Sequence, residues 1–137
     1  MAHYPKAHCA VGRLTASQIS ANTLKGTVIV PPRSGYAIRI LDGWVRAVGS
    51  AVGGCTEVII TDTQSTAVTV FSNTAANMTD GLVLRGGATG SAVTELGSTL
   101  GNGAGLRIGC TGTTATVTTG LDYFVKYVYE PVYNAAT

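Results

Sequence analysis

The chain has 137 residues, which fits one domain with one real core. Apolar residues make up 45% and charged residues only 12%, so the chain is not a disordered one, and its surface is bland and weakly charged. Net charge is +2, and Lys6, Arg13, Lys25, Arg33, Arg39, Arg46, Arg85, Arg107 and Lys126 are never adjacent, which argues against a nucleic-acid-tracking strip.

Residues 1–13 are polar and mixed, with Pro5 and Gly12, and read as a flexible N-terminal arm. They hold no apolar core of a secretion signal, and no apolar run in the chain reaches the ~18 residues of a membrane span, so folding in a cytoplasm is expected. In residues 14–25 the apolar positions Leu14, Ile19 and Leu24 recur every five residues. That spacing fits neither a helix nor a strand, and the segment reads as irregular, with at most a short strand. Residues 26–30 end in Thr-Val-Ile-Val, a β-branched strand that Pro31 and Pro32 stop.

From Tyr36 the alternation is plain: Tyr36, Ile38 and Ile40 on one side, Ala37, Arg39 and Leu41 on the other. Asp42 and Gly43 then allow two structures, a two-residue hairpin or a bulge inside one long strand. The glycine-rich residues 49–54 offer a better loop just after, so we favour the bulge. The choice decides whether Trp44, expected as a core or interface anchor, shares a face with Ile40.

Residues 55–63 form the next strand, with Val58 and Ile60 on one side and Glu57, Ile59 and Thr61 on the other. Strands are also expected at 67–71, 82–85, 105–110 and 113–119, with a polar loop at 72–80. In 89–105 the positions Val93, Leu96 and Leu100 hint at a helical turn, while Gly97, Gly101, Gly103 and Gly105 argue against a long helix. Residues 121–130 alternate well, with Leu121, Tyr123, Val125, Tyr127 and Tyr129 on the expected core face. About eight short strands at roughly ten-residue spacing are the pattern of an all-β sandwich or small barrel. The domain is expected over 14–131, between the arm at 1–13 and a tail at 132–137.

The side chains that could carry chemistry are few. His3 and His8 are the two histidines, both in the arm; with Cys9 they match no usual zinc spacing. Asp42, Glu57, Asp62, Asp80, Glu95, Asp122 and Glu130 are the carboxylates, and nothing in their spacing forces a catalytic pair. Asp42 and Asp62 fall where aspartate stabilises turns. The glycine-rich stretches lack both the P-loop Lys-Ser/Thr and a following helix, so neither nucleotide pattern is met. Cys9, Cys55 and Cys110 are an odd set, for which free, buried thiols are expected; a Cys55–Cys110 bridge is the other arrangement considered. Tyr123, Tyr127 and Tyr129 suit a core or a subunit contact, with a sugar-stacking platform as the alternative. No catalytic, cofactor-binding or metal-binding residues are assigned.

The block from Thr27 through Gly49, with the later Gly-Leu-Arg-Ile-Gly-Cys and Thr-Gly-Leu-Asp-Tyr-Phe-Val-Lys-Tyr-Val-Tyr-Glu, resembles small virion proteins of tailed bacteriophages, in particular the capsid decoration (cement) type. The likeness is best over 26–63 and next best over 105–130. It implies a jelly-roll-like β-sandwich on the outer surface of a phage head, made in the host cytoplasm, that clamps neighbouring major capsid subunits. It implies a homodimer or homotrimer; that there is no enzymatic activity and no nucleic-acid or membrane partner is the expectation from the residues themselves. A carbohydrate-binding or fibre-type β domain of a virion is the alternative.

Overall fold

The computed structural model describes residues 6–20, 26–85 and 101–132. Eight strands follow in order: β1 (Ala7–Leu14), β2 (Thr27–Val30), β3 (Tyr36–Val48), β4 (Gly53–Asp62), β5 (Thr69–Thr74), β6 (Val83–Arg85), β7 (Leu106–Thr116) and β8 (Gly120–Pro131). A short helix, α1 (Ala16–Ser20), lies between β1 and β2.

Two four-stranded sheets result, ordered β1-β8-β3-β6 and β2-β7-β4-β5. The pairs β1·β8, β2·β7, β3·β6 and β4·β5 are all antiparallel. This is one long hairpin with its tip between β4 and β5, rolled up so that β3 also meets β8 and β4 meets β7. The all-β sandwich is therefore a jelly roll.

The hairpin tip has a local cause. Buried Asp62 accepts hydrogen bonds from the backbone N–H of Val68 at 2.9 Å and of Gln64 at 3.3 Å, and from the Gln64 side-chain amide. Its own N–H donates to the Val68 carbonyl. Aspartate is stabilised at such turns because its carboxylate satisfies backbone donors that the turn leaves unpaired.

The core lies between the sheets. Ile38, Ile40, Val45, Leu121 and Val125 come from one sheet, and Val30, Val58, Ile60, Leu106 and Ile108 from the other. Each such side chain stabilises the fold by ~1.5–3 kcal/mol relative to exposure. Tyr127 joins them, and Tyr123 and Tyr129 pack against them half-buried, as the alternation of β8 predicts. Tyr123 lies over Gly12 on the edge strand, where an added Cβ would stand 2.7 Å from the phenol oxygen. The bland residue Gly12 thus leaves room for an aromatic neighbour.

β3 runs unbroken through Asp42 and Gly43, so the hairpin alternative is excluded. Ile40 pairs with Tyr127 and Asp42 with Lys126, leaving Leu41 as the extra, bulged residue. The Asp42 carboxylate accepts the Gly43 N–H at 2.8 Å and so holds the bulge.

Several expectations are corrected. Residues 7–13 are not a free arm: with buried Leu14 they form one strand that pairs with β8 without a break. Polar composition misled there because an edge strand has one neighbour and needs little apolar surface. Removing residues 1–12 would therefore strip a strand from the sheet rather than trim a free end. Residues 16–20 are helical, not irregular or extended. The cause is a capping box: the Thr15 hydroxyl accepts the Gln18 N–H at 3.3 Å, and the Gln18 side-chain oxygen accepts the Thr15 N–H at 2.8 Å. Buried Ile19 then anchors the turn. The two strands expected at 105–110 and 113–119 are one, β7, bent near Gly112, whose φ of 84° suits glycine. β5 starts later than expected because Val68 belongs to the turn, and it runs on to Thr74, into residues expected as a polar loop. The helical turn suggested at Val93, Leu96 and Leu100 lies outside the described residues, as does the tail beyond residue 132.

Candidate interaction surface

The bulge sets which side chains face out. Before it Ile38 and Ile40 point into the core; after it Val45 and Ala47 do. Trp44 and Arg46 are thereby turned to the outer face of the β1-β8-β3-β6 sheet. Trp44 is thus not a core residue; it is half-buried on a solvent-facing sheet.

Hydrogen-bond register places four residues in one row across this sheet: Val11 on β1, Phe124 on β8, Trp44 on β3 and Arg85 on β6. The rings of Trp44 and Phe124 are nearly parallel, 17° apart, with centroids at 6.0 Å. Such an offset pair adds ~0.5–1.5 kcal/mol beyond its buried area. Val11 is 65% exposed, and Leu41 and Val83 also stand out from this face. The outer face therefore carries apolar and aromatic surface that the chain does not itself cover.

Charged rows flank the aromatic one. On one side, Asp122 bridges two arginines: Arg13 Nε at 2.5 Å and Arg46 at 2.7 Å. The Arg13 bonds hold the Asp122 carboxyl down to about 2; burial opposes this, and Arg46 adds to the lowering. Arg46 also stacks over Trp44, its guanidinium carbon 5.8 Å from the ring centre. On the other side, Asp42 pairs across strands with Lys126 and lies 4.0 Å from Arg85. Farther along, Arg39 meets Glu130 at 3.5 Å. Five of the nine basic residues, scattered in sequence, thus share one face with Asp42, Asp122 and Glu130. Most of these cations are already engaged by carboxylates.

The remaining residues weighed for chemistry lie elsewhere. His8 stacks on Tyr127 at 5.6 Å, part of an aromatic group with Tyr129 and Tyr36 at one end of the sandwich. The Tyr129 hydroxyl donates to the Pro31 carbonyl at 2.7 Å, and the Arg33 guanidinium covers the Tyr36 ring at 3.9 Å. Burial pushes the phenols of Tyr123, Tyr127 and Tyr129 up. Tyr129 meets Tyr36 and Tyr127 edge to face, while His8 stacks on Tyr127, so these rings form a packed cluster. Asp80 accepts the Gly49 N–H at 2.9 Å, closing the loop after β3. Among the described residues no three of His, Cys, Asp and Glu gather as a metal site would require. His3 and Glu95 lie outside the described residues.

Cys9, Cys55 and Cys110 are free thiols. Cys110 is buried and Cys55 half-buried, but Cys9 is exposed on the edge strand, against the expectation that all three are buried. Burial, reinforced by the neighbouring Cys110 thiol, pushes Cys55 up to about 11. A cleft of about 230 Å³ opens beside Cys110, lined by Ser20, Gly112, Thr113 and Thr114. It holds no charged or basic side chain that would activate the thiol.

Sequence patterning missed the outer face, because its members come from four strands and no two basic residues are neighbours in the chain. The bulge at Leu41 was the available signal, since it reverses the side on which Trp44 emerges. No helix of the described residues is long and apolar enough to cross a membrane. Comparison with family models, curated proteins and solved structures gives no match.

Proposed function

We propose that the chain is a structural virion protein that binds the outer surface of a phage head and stabilises contacts between major capsid subunits. The observation that supports this reading is uncovered apolar surface on one sheet of the sandwich and at the margins of the other. Val11, Leu41 and Val83 accompany Trp44 and Phe124 on one sheet; Val28 and Val68 stand exposed at the margins of the other. Tryptophan and arginine together are the residues that dominate protein–protein contacts. A protein that clamps a shell needs more than one such surface, one for the shell and one for a neighbour. Its work is mechanical: each contact removes apolar area from water, and the sum over many copies opposes outward pressure on the shell.

Purified particles would carry this protein in hundreds of copies, in fixed ratio to the major shell protein. Mass spectrometry and electron cryo-microscopy of the particles read this directly. Finding none, or a few copies at the tail tip, overturns the proposal.

The near-parallel Trp44 and Phe124 rings favour one second reading, a carbohydrate-binding or fibre-type domain of a virion. Glycan-array binding lost on Trp44→Ala would select it.

A further inference from the structure

We infer that the outer face of the β1-β8-β3-β6 sheet is a self-complementary contact, and that its occupant is the same face of a second copy of this chain. The inference rests on charge placement. Arg46 and Asp42 stand on β3, one residue position removed on either side of Trp44 along the outer face; Asp122 and Lys126 flank Phe124 in the same way on β8. Arg46 pairs with Asp122 and Asp42 with Lys126 across the strands. The four make a checkerboard around the aromatic pair, with cations on one diagonal and carboxylates on the other.

Such a square matches itself. A two-fold axis in the plane of the sheet and across the strands sets Arg46 against the partner's Asp42, and Lys126 against the partner's Asp122. An axis along the strands sets Arg46 against the partner's Asp122, and Lys126 against the partner's Asp42. Either way each charge of the square meets an opposite one, and the aromatic rings meet at the centre. Arg85, in the Trp44 row, would face its own copy about the first axis and the partner's Val11 about the second, so the charges favour the axis along the strands. This is the isologous arrangement of a closed dimer, in which residue i touches j and j touches i. Two sheets stacked face to face sit ~10 Å apart, which the side chains of Trp44, Phe124 and Arg46 can fill.

Other occupants fit less well. A phosphate backbone would have to draw Arg13 and Arg46 off Asp122, and Arg39 off Glu130. A uniformly acidic protein would meet Asp42 and Asp122 as like charges near the centre. The footprint is modest: four strands at ~4.8 Å and six residues at ~3.3 Å span roughly 19 by 20 Å. That is small beside the ~800 Å² per partner of a standard interface, so a dimer that dissociates in the micromolar range is expected.

Sedimentation velocity and light scattering of the purified full chain, from about 1 to 300 μM, test this. The expected result is a reversible monomer–dimer equilibrium. Trp44→Ala should weaken it at least about 30-fold, as loss of a central anchor does. Lys126→Glu, which sets a third carboxylate into the square, should weaken it about 5- to 10-fold. Val28→Asp, on the other sheet, should leave it within twofold of the unaltered chain. If Trp44→Ala fails to fold, Lys126→Glu decides, because that side chain is exposed. A monomer at every concentration, a trimer, a dimer indifferent to both substitutions, or one broken by Val28→Asp alone overturns the inference. So does a shift of Trp44 fluorescence on adding a single-stranded oligonucleotide to a monomeric chain, which would give the face to nucleic acid. The purified chain suffices for these measurements, so their outcome is independent of whether particles carry the protein.

Discussion

Ile40 and Trp44 emerge on opposite faces of the same strand, although they are four positions apart, a spacing that plain alternation keeps on one face. Ile40 is buried in the core, while Trp44 lies against Phe124 on the solvent side. The unpaired Leu41 accounts for the reversal, because each inserted residue inverts the parity of all that follow. Deletion of Leu41 should therefore be mild, as its 44% exposure suggests. It removes only the unpaired residue, so the ladder runs from Ile40–Tyr127 straight to Asp42–Lys126, with Trp44 and Arg46 still outward and Val45 and Ala47 still inward. The expected cost is about 1 kcal/mol, that of an ordinary substitution. Cooperative thermal unfolding with unchanged tryptophan emission is the expected outcome; loss of the unfolding transition on deletion would refute it.

The β-sandwich was legible in the sequence because its central strands are buried on one face and alternate: Ile38 and Ile40, Val58 and Ile60, Leu121 and Val125 all read correctly. What escaped was set by other forces. β1 carries few apolar residues because it is an edge. α1 depends on reciprocal hydrogen bonds between Thr15 and Gln18, which apolar spacing does not register. Even the expected count of eight strands was reached by compensation: β1 was left out, and β7 was split at Gly112. The outer face was invisible for a further reason. Arg13, Arg46 and Asp122 meet only once β1, β8 and β3 are side by side.

Trp44→Ala gives a second, separable test of that face. In the isolated domain the side chain is half-buried and leans on one ring, with Arg46 above it. Its removal should cost about 1–2 kcal/mol in urea unfolding, below the ~3–5 kcal/mol of a core aromatic. A loss in the core range would show that Trp44 is held as tightly as Ile38, and that the outer face is less open than its geometry indicates.

Asp122 should impose an acid limb on stability. Bonded first by Arg13 and then by Arg46, its carboxyl titrates at about 2 in the folded chain, against ~3.9 when unfolded. A folded value below the unfolded one means the stabilisation is complete above about pH 4 and fades as the pH falls towards 2. The arginine side chains are 48% and 39% exposed, so solvent screening reduces the gain to about 1 kcal/mol. Asp122→Asn should lose that amount near pH 7 and match the unaltered chain near pH 2. A difference that stays constant across this range would contradict the ion-pair origin.

The three thiols should separate by reactivity. Cys9 lies exposed on β1, Cys55 is half-buried, and Cys110 is buried within the core. Only the thiolate is nucleophilic, and burial together with the adjacent Cys110 thiol pushes Cys55 up to about 11. Near pH 8 its thiolate fraction is then roughly two orders of magnitude below that of an ordinary thiol with a pKa near 8.5. Iodoacetamide on the native protein should give one fast adduct, at Cys9, then a slow one at Cys55, with Cys110 reacting only as the chain opens. Mass spectrometry of the intact protein over time, followed by peptide mapping, resolves the order. Two equally fast adducts would mean that the β4–β7 end of the core opens readily, and that the burial raising the Cys55 thiol does not persist in solution.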